Sequence, residues 1–257
     1  MELSTQLTDG VLTLKLNRPQ VFNSFNKALA MELQDQLRKA EKNDEVRCIV
    51  LTGEGKAFCA GQDLAEATDP NGPDLKSIVK DHYNPIIELV RNIEKPIIAA
   101  VNGVAAGAGA NIALACDIVL AKESASFIQA FSKIGLIPDS GGTFMLPRLV
   151  GWQKASALMM TGEKVGAKDA EAMNMIYKAI ADESFEEEVL KLSSSMAKMP
   201  TYGLGLTKKA LNESFTNNLT QQLSVEGTLQ TQAGSSYDFK EGTTAFLEKR
   251  KPNFQGK

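Results

Sequence analysis

The sequence predicts an α/β fold with a helical tail, and three observations carry that expectation. Over the first two thirds of the chain, short apolar runs alternate with longer segments of helical periodicity. From Trp152 onward the pattern is mostly helical. Between them lies Ile97 to Asp117, IIAAVNGVAAGAGANIALACD, where five apolar residues meet an Asn-Gly turn and then a run of small residues. Alternation first and helices last is the order of an α/β core with a helical appendage.

Each element has its own signal. Val11–Leu16 alternates at its start and reads as a strand, ended by Asn17-Arg18-Pro19. Ser24 or Asn26 can cap a helix running to about Asn43, with Leu29, Leu33, Leu37 and Ala40 on one face. Cys48–Thr52 is a short buried strand, and Gly53–Lys56 a turn. That turn is not a phosphate loop: Val50 stands where the motif needs glycine, and Ala57 where it needs Ser or Thr. Ala57–Leu64 reads as a strand–turn–helix junction with Asp63 as the cap. Residues 67–76 are polar and carry Pro and Gly, which predicts a loop or lid. A helix over 78–93 follows, stopped by Glu94-Lys95-Pro96. After the central stretch come strands at 118–121 and 125–128, then a turn-rich segment, 131–143, opening a helix through Leu149. The tail predicts helices at 153–161, 167–173, 183–198, 204–215, 219–233 and 239–249.

Composition narrows the function. A chain of 257 residues, 43% hydrophobic and 23% charged, suits one large domain or a domain with an appendage. A net charge of −3 supplies no basic field for nucleic acid or an anionic membrane. Cys48, Cys59 and Cys116 lack metal-ligand spacing, and their odd number fits a reducing cytosol. The first residues lack an apolar signal core, and no apolar run approaches the roughly 20 residues that span a bilayer. A cytoplasmic protein is expected, with no metal site. The only histidine, His82, lies in the polar segment KDHYNP and reads as a solvated surface residue. Triads built on histidine would have to use it, so acid–base work falls to a carboxylate.

The central stretch admits three explanations. Main-chain amides at the opening of a helix are unpaired and carry the positive end of its dipole. From Ala105 to Ala110 no side chain exceeds a methyl, so a ligand oxygen can approach them closely. The stretch is then close helix–strand packing, a dinucleotide loop, or an oxyanion hole. The dinucleotide reading is weak, because Ile112 stands where a third glycine belongs. The oxyanion hole needs a second donor, which Gln62 in the Ala60-Gly61 turn could supply, and a catalytic side chain.

Four segments together resemble a known family. They are Ala57–Leu64, Lys95–Asp117, Gly135–Thr143 (GLIPDSGGT) and the end Phe246–Phe254. In this order and separation they are similar to the crotonase, or enoyl-CoA hydratase/isomerase, superfamily across essentially the whole chain. The resemblance implies a spiral of ββα units with a helical C-terminal trimerisation region. It divides the chain into an acyl-CoA-binding catalytic core, 1–200, and a helical oligomerisation region, 201–257. It also implies a homotrimer or dimer of trimers, an acyl-CoA thioester substrate, and no resident cofactor, coenzyme A being part of the substrate. The thioester oxygen falls to the amides of Gln62 and Ala108, each worth roughly 3 kcal/mol as charge develops on it.

Departures from the family pattern select the reaction. Hydratases of the family activate water with two glutamates, whose positions here hold Asn111 and Phe131. An amide cannot act as a base near neutral pH, and a phenyl ring has no proton to trade. Asp139, after Ile137-Pro138, stands where several family isomerases carry an acid. Asp139 or Ser140 could alternatively cap the following helix. The resemblance favours catalysis, and Phe131 gives an apolar wall that raises the carboxyl's pKa. The expected activity is an acyl-CoA isomerisation: rearrangement of a ring epoxide to an oxepin, or movement of a double bond from 3,4 to 2,3. Alternatives are an enoyl-CoA hydratase and a non-catalytic acyl-CoA-binding member. Substrate contacts are expected from Phe22, Asn23, Ala60, Gly61, Asp63, Leu64, Gly107, Asn111 and Phe131. Asn111 reads equally as a satisfied helix-interior amide. Lys249 could reach a coenzyme A phosphate in a neighbouring subunit, or remain a solvated surface lysine.

Overall fold

Consecutive strands alternate between two sheets, and this alternation builds the site. The computed structural model describes residues 1–257. An antiparallel hairpin of β1 (Leu3–Thr8) and β2 (Val11–Leu16) leads to α1 (Lys27–Lys42). The side chain of Asn26 caps α1 by accepting from Leu29 N–H, and Leu29, Leu33, Leu37 and Ala40 are buried along one face. Three strand pairs then repeat one pattern: β3 (Cys48–Gly53) with β4 (Ala57–Cys59), β5 (Ile97–Val101) with β6 (Val104–Ala106), and β7 (Ile118–Lys122) with β8 (Ser126–Ile128). The first strand of each pair joins a six-stranded sheet and the second a four-stranded one.

Helical segments close each turn. After β4 come α2 (Leu64–Ala67), α3 (Leu75–Ser77), a π-helical turn (Ile78–Tyr83) and α4 (Asn84–Asn92). After β6 comes α5 (Ala108–Ala115). After β8 come a 3₁₀ turn (Ala130–Ile134), α6 (Gly142–Val150) and α7 (Trp152–Thr161). Then follow β9 (Lys164–Gly166), α8 (Ala167–Ala172), β10 (Lys178–Ile180) and the tail helices α9 (Phe185–Ala197), α10 (Thr201–Ser214), α11 (Leu219–Gly234) and α12 (Tyr237–Leu247). The larger sheet runs β1-β2-β3-β5-β7-β10 and the smaller β4-β6-β8-β9. This is the spiral of ββα units, closed by helices.

Both faces of the larger sheet are covered. Leu14, Leu16, Ile49, Ile97 and Ala99 pack into the main core with α1, α4 and α5. Val11, Val50, Ile98 and Leu120 pack on the other side against Phe185 and Val189 of α9. Two-sided burial explains why β3 and β5 read as unbroken apolar runs. Small residues let the layers meet: a Cβ at Gly109 would lie 2.5 Å from the Cys59 carbonyl oxygen, so α5 rests directly on β4. Farther along, α10 lies on the end of α4, where a Cβ at Gly205 would come within 2.5 Å of the Glu94 carbonyl. Lys208 is buried there and pairs with Asp117 at 2.9 Å, while Arg91 reaches the same carboxylate at 3.3 Å.

Some sequence expectations are corrected. β1, β9 and β10 lie in segments not assigned as strands, and β6 occupies part of the Gly/Ala run expected to turn straight into helix. Three-residue strands are too short to show alternation, and β1 exposes five of its six residues. The helix expected from Ile78 begins as a π-helical turn. His82 is not solvated: it is 4% exposed. Its turn packs on α1, where the Gln34 side-chain amide donates to the carbonyls of Asp81 and His82 at 2.8 and 3.1 Å. Burial lowers the imidazole's pKa and favours the neutral ring. No helix is long and apolar enough to cross a membrane.

Candidate active site

Two turns from successive units of the spiral meet at Gly61 and Gly107. Gly61 has φ +92° and Gly107 φ +53° with ψ −128°, conformations that a side chain disfavours. A Cβ at Gly61 would sit 3.0 Å from the Ala106 carbonyl oxygen and 3.5 Å from the Ala108 nitrogen. A Cβ at Gly107 would lie 3.9 Å from the Gly61 Cα. The main chain that follows each glycine therefore converges on one place. Ala108 opens α5, so its N–H has no carbonyl within the helix to donate to. The Gln62 N–H is likewise left free by the chain's own hydrogen bonds.

The first turn is held from both sides. Phe25 N–H donates to Gly61 O at 2.7 Å, Asp63 N–H to Phe25 O at 2.8 Å, and Ala60 N–H to Phe22 O at 3.0 Å. Arg18 donates to Ser24 O and to Asp63 Oδ2, tying the 22–25 loop to the 60–64 turn. Asp63 also caps α2 by accepting from Ala65 N–H. Asn23 is fully buried, its amide bonded to the carbonyls of Glu54 and Ala57 and accepting from Arg18 N–H. Its main-chain N–H is also taken, donating to Arg18 O at 2.9 Å, so its side chain and its N–H are both spent within the protein. Phe22 and Leu64 are exposed beside this seam.

Tyr83, at the end of the π-helical turn, donates to Gln62 Oε1 at 2.7 Å. Burial, reinforced by the Cys59 thiol and by Asp139, Glu66 and Asp63, pushes the phenol's pKa well above its ordinary value. The hydroxyl stays protonated, as its donor role requires. All three cysteines are buried, and burial pushes each thiol up to about 12. None is available as a thiolate near neutral pH.

Asp139 stands at the start of the turn leading into α6 and is half-buried. Its carbonyl accepts from the Asn111 side chain at 2.8 Å, and Asn111 lies one helical turn along α5 from Ala108. Burial raises the Asp139 carboxyl above its ordinary value, partly opposed by a hydrogen bond from Ser140 Oγ at 2.9 Å. Neither residue caps α6, whose N-cap is Gly141 without a side-chain bond. Phe131 is buried, its ring tip 3.9 Å from where a Gly107 Cβ would be, so the wall beside the converging amides is apolar. The Asn111 amide is spent within the protein: besides donating to Asp139 it accepts from Gln129. Lys249 lies exposed in the C-terminal segment.

Residues 6–257 match the sequence pattern of the Enoyl-CoA hydratase/isomerase family. The chain belongs to this family. Among similar members, the 1,2-epoxyphenylacetyl-CoA isomerase of Escherichia coli K12 is 48% identical over 251 residues, 96% of each chain. A Rhodobacter capsulatus protein named as a probable enoyl-CoA hydratase is 43% identical, covering 98% of this chain and 97% of that one. The crystal structure of the enoyl-CoA hydratase from Bacillus anthracis superimposes with a TM-score of 0.93 at 32% identity, covering both chains completely.

Within this enoyl-CoA hydratase/isomerase chain, sequence reasoning missed three polar side chains: Tyr83, Gln129 and Ser140. Tyr83 lies 21 residues along the same turn of the spiral from the Gln62 it touches, and Gln129 comes from a different turn than Asn111, so no local pattern marks either. Ser140 adjoins Asp139, and only its left-handed backbone, φ +51°, turns its hydroxyl onto the neighbouring carboxyl.

Proposed function

We propose that the protein is an acyl-CoA isomerase in which the amides of Gln62 and Ala108 hold the thioester oxygen and Asp139 is the acid/base. The single observation carrying this reading is the pairing of two convergent, unspent N–H groups with one half-buried carboxyl beside an apolar wall. In a double-bond shift, the Asp139 carboxylate takes a proton from C2 of a 3,4-unsaturated thioester. The C2–H electron pair moves into the conjugated system, charge collects on the oxygen between the two amides, and the carboxylic acid returns the proton at C4. The double bond ends at 2,3. No water is consumed, so one acid/base suffices. A raised carboxyl pKa helps, because the group must be a base in one half of the reaction and an acid in the other. The ring epoxide of 1,2-epoxyphenylacetyl-CoA, rearranged to an oxepin, is the other substrate supported by the isomerase relative.

Coenzyme A, brought by the substrate, lies along the main chain of residues 22–24 and 60–64, and Lys249 serves a phosphate in a neighbouring subunit. The catalytic core spans 1–200. The region 201–257 assembles the chain into a trimer or dimer of trimers in the cytoplasm. In support, α11 exposes Leu219 and Leu223, and α12 exposes Phe246 and Leu247, which with Phe239 and Phe254 line a groove of about 560 Å³.

Asp139→Asn tests the reading. Its kcat on the ring epoxide and on 3,4-unsaturated CoA esters is expected to fall by at least about 10²-fold, while the Kd for the ester stays within about twofold. Full activity in this variant removes Asp139 from the chemistry. Rapid hydration of crotonyl-CoA by the native protein transfers the assignment to a hydratase.

A further inference from the structure

Gln129 lies just past β8, next to Ile128, whose carbonyl accepts from Gly107 N–H at 2.9 Å. Its side chain is 4% exposed, and Nε2 donates to Asn111 Oδ1 at 2.8 Å. Asn111, 1% exposed, donates from Nδ2 to the Asp139 carbonyl, whose other bond comes from Gly142 N–H at 2.9 Å. The direction of this chain of amides is forced. A main-chain carbonyl only accepts, so Asn111 turns its NH₂ toward Asp139 and its carbonyl away. Gln129 can meet that carbonyl only with its own NH₂.

The consequence for Gln129 is unfavourable. Its Oε1 is buried and has no hydrogen-bond partner. A buried acceptor left unpaired costs stability, and an apolar side chain of the same length would only move that cost to Asn111 Oδ1, which has no other donor. What the glutamine adds is the one bond that fixes the orientation of the Asn111 amide. The fit beneath the catalytic turn is also tight. A Cβ at Gly142 would lie 2.3 Å from Asn111 Nδ2, so the Asn111 amide fills the space under the turn. The turn itself needs holding: residues 132–137 before Asp139 are exposed, and Ser140 and Gly141 after it both have left-handed φ.

We propose that Gln129 and Asn111 are positioning residues for the acid/base step: a one-way pair of amide hydrogen bonds, running from β8 through α5, that sets where Asp139 stands over the acyl carbons. This rests on the assignment of Asp139 as acid/base. Gln129 touches no reacting atom; it orients Asn111, and Asn111 holds the Asp139 main chain.

Gln129→Met, which keeps length and removes the donor, is the test. The kcat is expected to fall about tenfold with KM within about twofold. The melting temperature is expected to fall by no more than a few degrees, because one unpaired buried acceptor, Gln129 Oε1, is exchanged for another, Asn111 Oδ1, at the loss of a single hydrogen bond. Asn111→Leu is expected to lower kcat at least as far, and the double variant no further than Asn111→Leu alone, since Gln129 acts only through Asn111. Wild-type kcat in Gln129→Met, a KM that rises as far as kcat falls, or additive losses in the double variant would each overturn the proposal. Asp139→Asn, assayed alongside, separates the two levels. If it is inactive while Gln129→Met matches wild type, only the positioning role fails; if it is active, both fail.

Discussion

Ser140 Oγ donates to the same carboxyl whose pKa burial has raised. That bond favours the charged form and works against burial. Removing it in Ser140→Ala leaves burial opposed only by the residue's own main-chain N–H, so the Asp139 pKa moves further up. The double-bond shift begins from the carboxylate, and its acid limb follows this pKa. A pH profile of kcat/KM for Ser140→Ala is therefore expected to have its acid limb at higher pH than wild type, with the plateau lowered less than about tenfold. An unmoved limb would mean that the hydroxyl does not reach the carboxyl in solution. Single residues were legible in the sequence where chemistry and backbone coincide. Gln62 and Ala108 follow glycines with positive φ, and Asp139 stands out as an acid in a turn. The amides of Asn23 and Asn111 were not, because the carbonyls that take them up come from segments 28 or more residues away.

The decisive element is α5, which carries Ala108 at its start and Asn111 one turn on. Its height over β4 is set by Gly109. A Cβ there would meet the Cys59 carbonyl at 2.5 Å and the Cys59 Cβ and Sγ at 2.6 Å, too close without movement of the main chain. Gly109→Ala is expected to cost about 1–3 kcal/mol by overpacking, read in urea titration. It also lifts Ala108 away from Gln62, so kcat falls even where the variant remains folded. The small-residue run announced close approach in the sequence. What it approached was hidden, because β4 and β6 have three residues each and no periodicity that a pattern could reveal.

At the scale of the molecule, the helical tail is locked to the core by one ionic cluster around the buried Lys208. Lys208 of α10 pairs with Asp117 at the end of α5, which also accepts from Ile97 N–H at 2.9 Å and faces Arg91. Asn212 clasps Arg91 from α10. Lys208→Met is expected to cost about 1–3 kcal/mol, below the range for a fully buried pair, because Asp117 is partly open to solvent and Arg91 remains to neutralise it. A chemical denaturation midpoint checks it. The order of strands and helices predicted this α/β body and its helical end. It did not predict which tail helix is fastened to the core, since Asp117 and Lys208 are 91 positions apart in the chain.

The two amide donors sit just beyond strands that are direct neighbours, β4 and β6, joined by a short ladder in the smaller sheet. They therefore belong to one unit of local opening. Proton exchange with solvent should find the hydrogen-bonded amides of the β4–β6 ladder that carries them protected together and lost together, at a lower free energy than the long strands of the larger sheet. Warming would then take apart the proposed thioester seat in a single event, while most of the molecule still holds its shape.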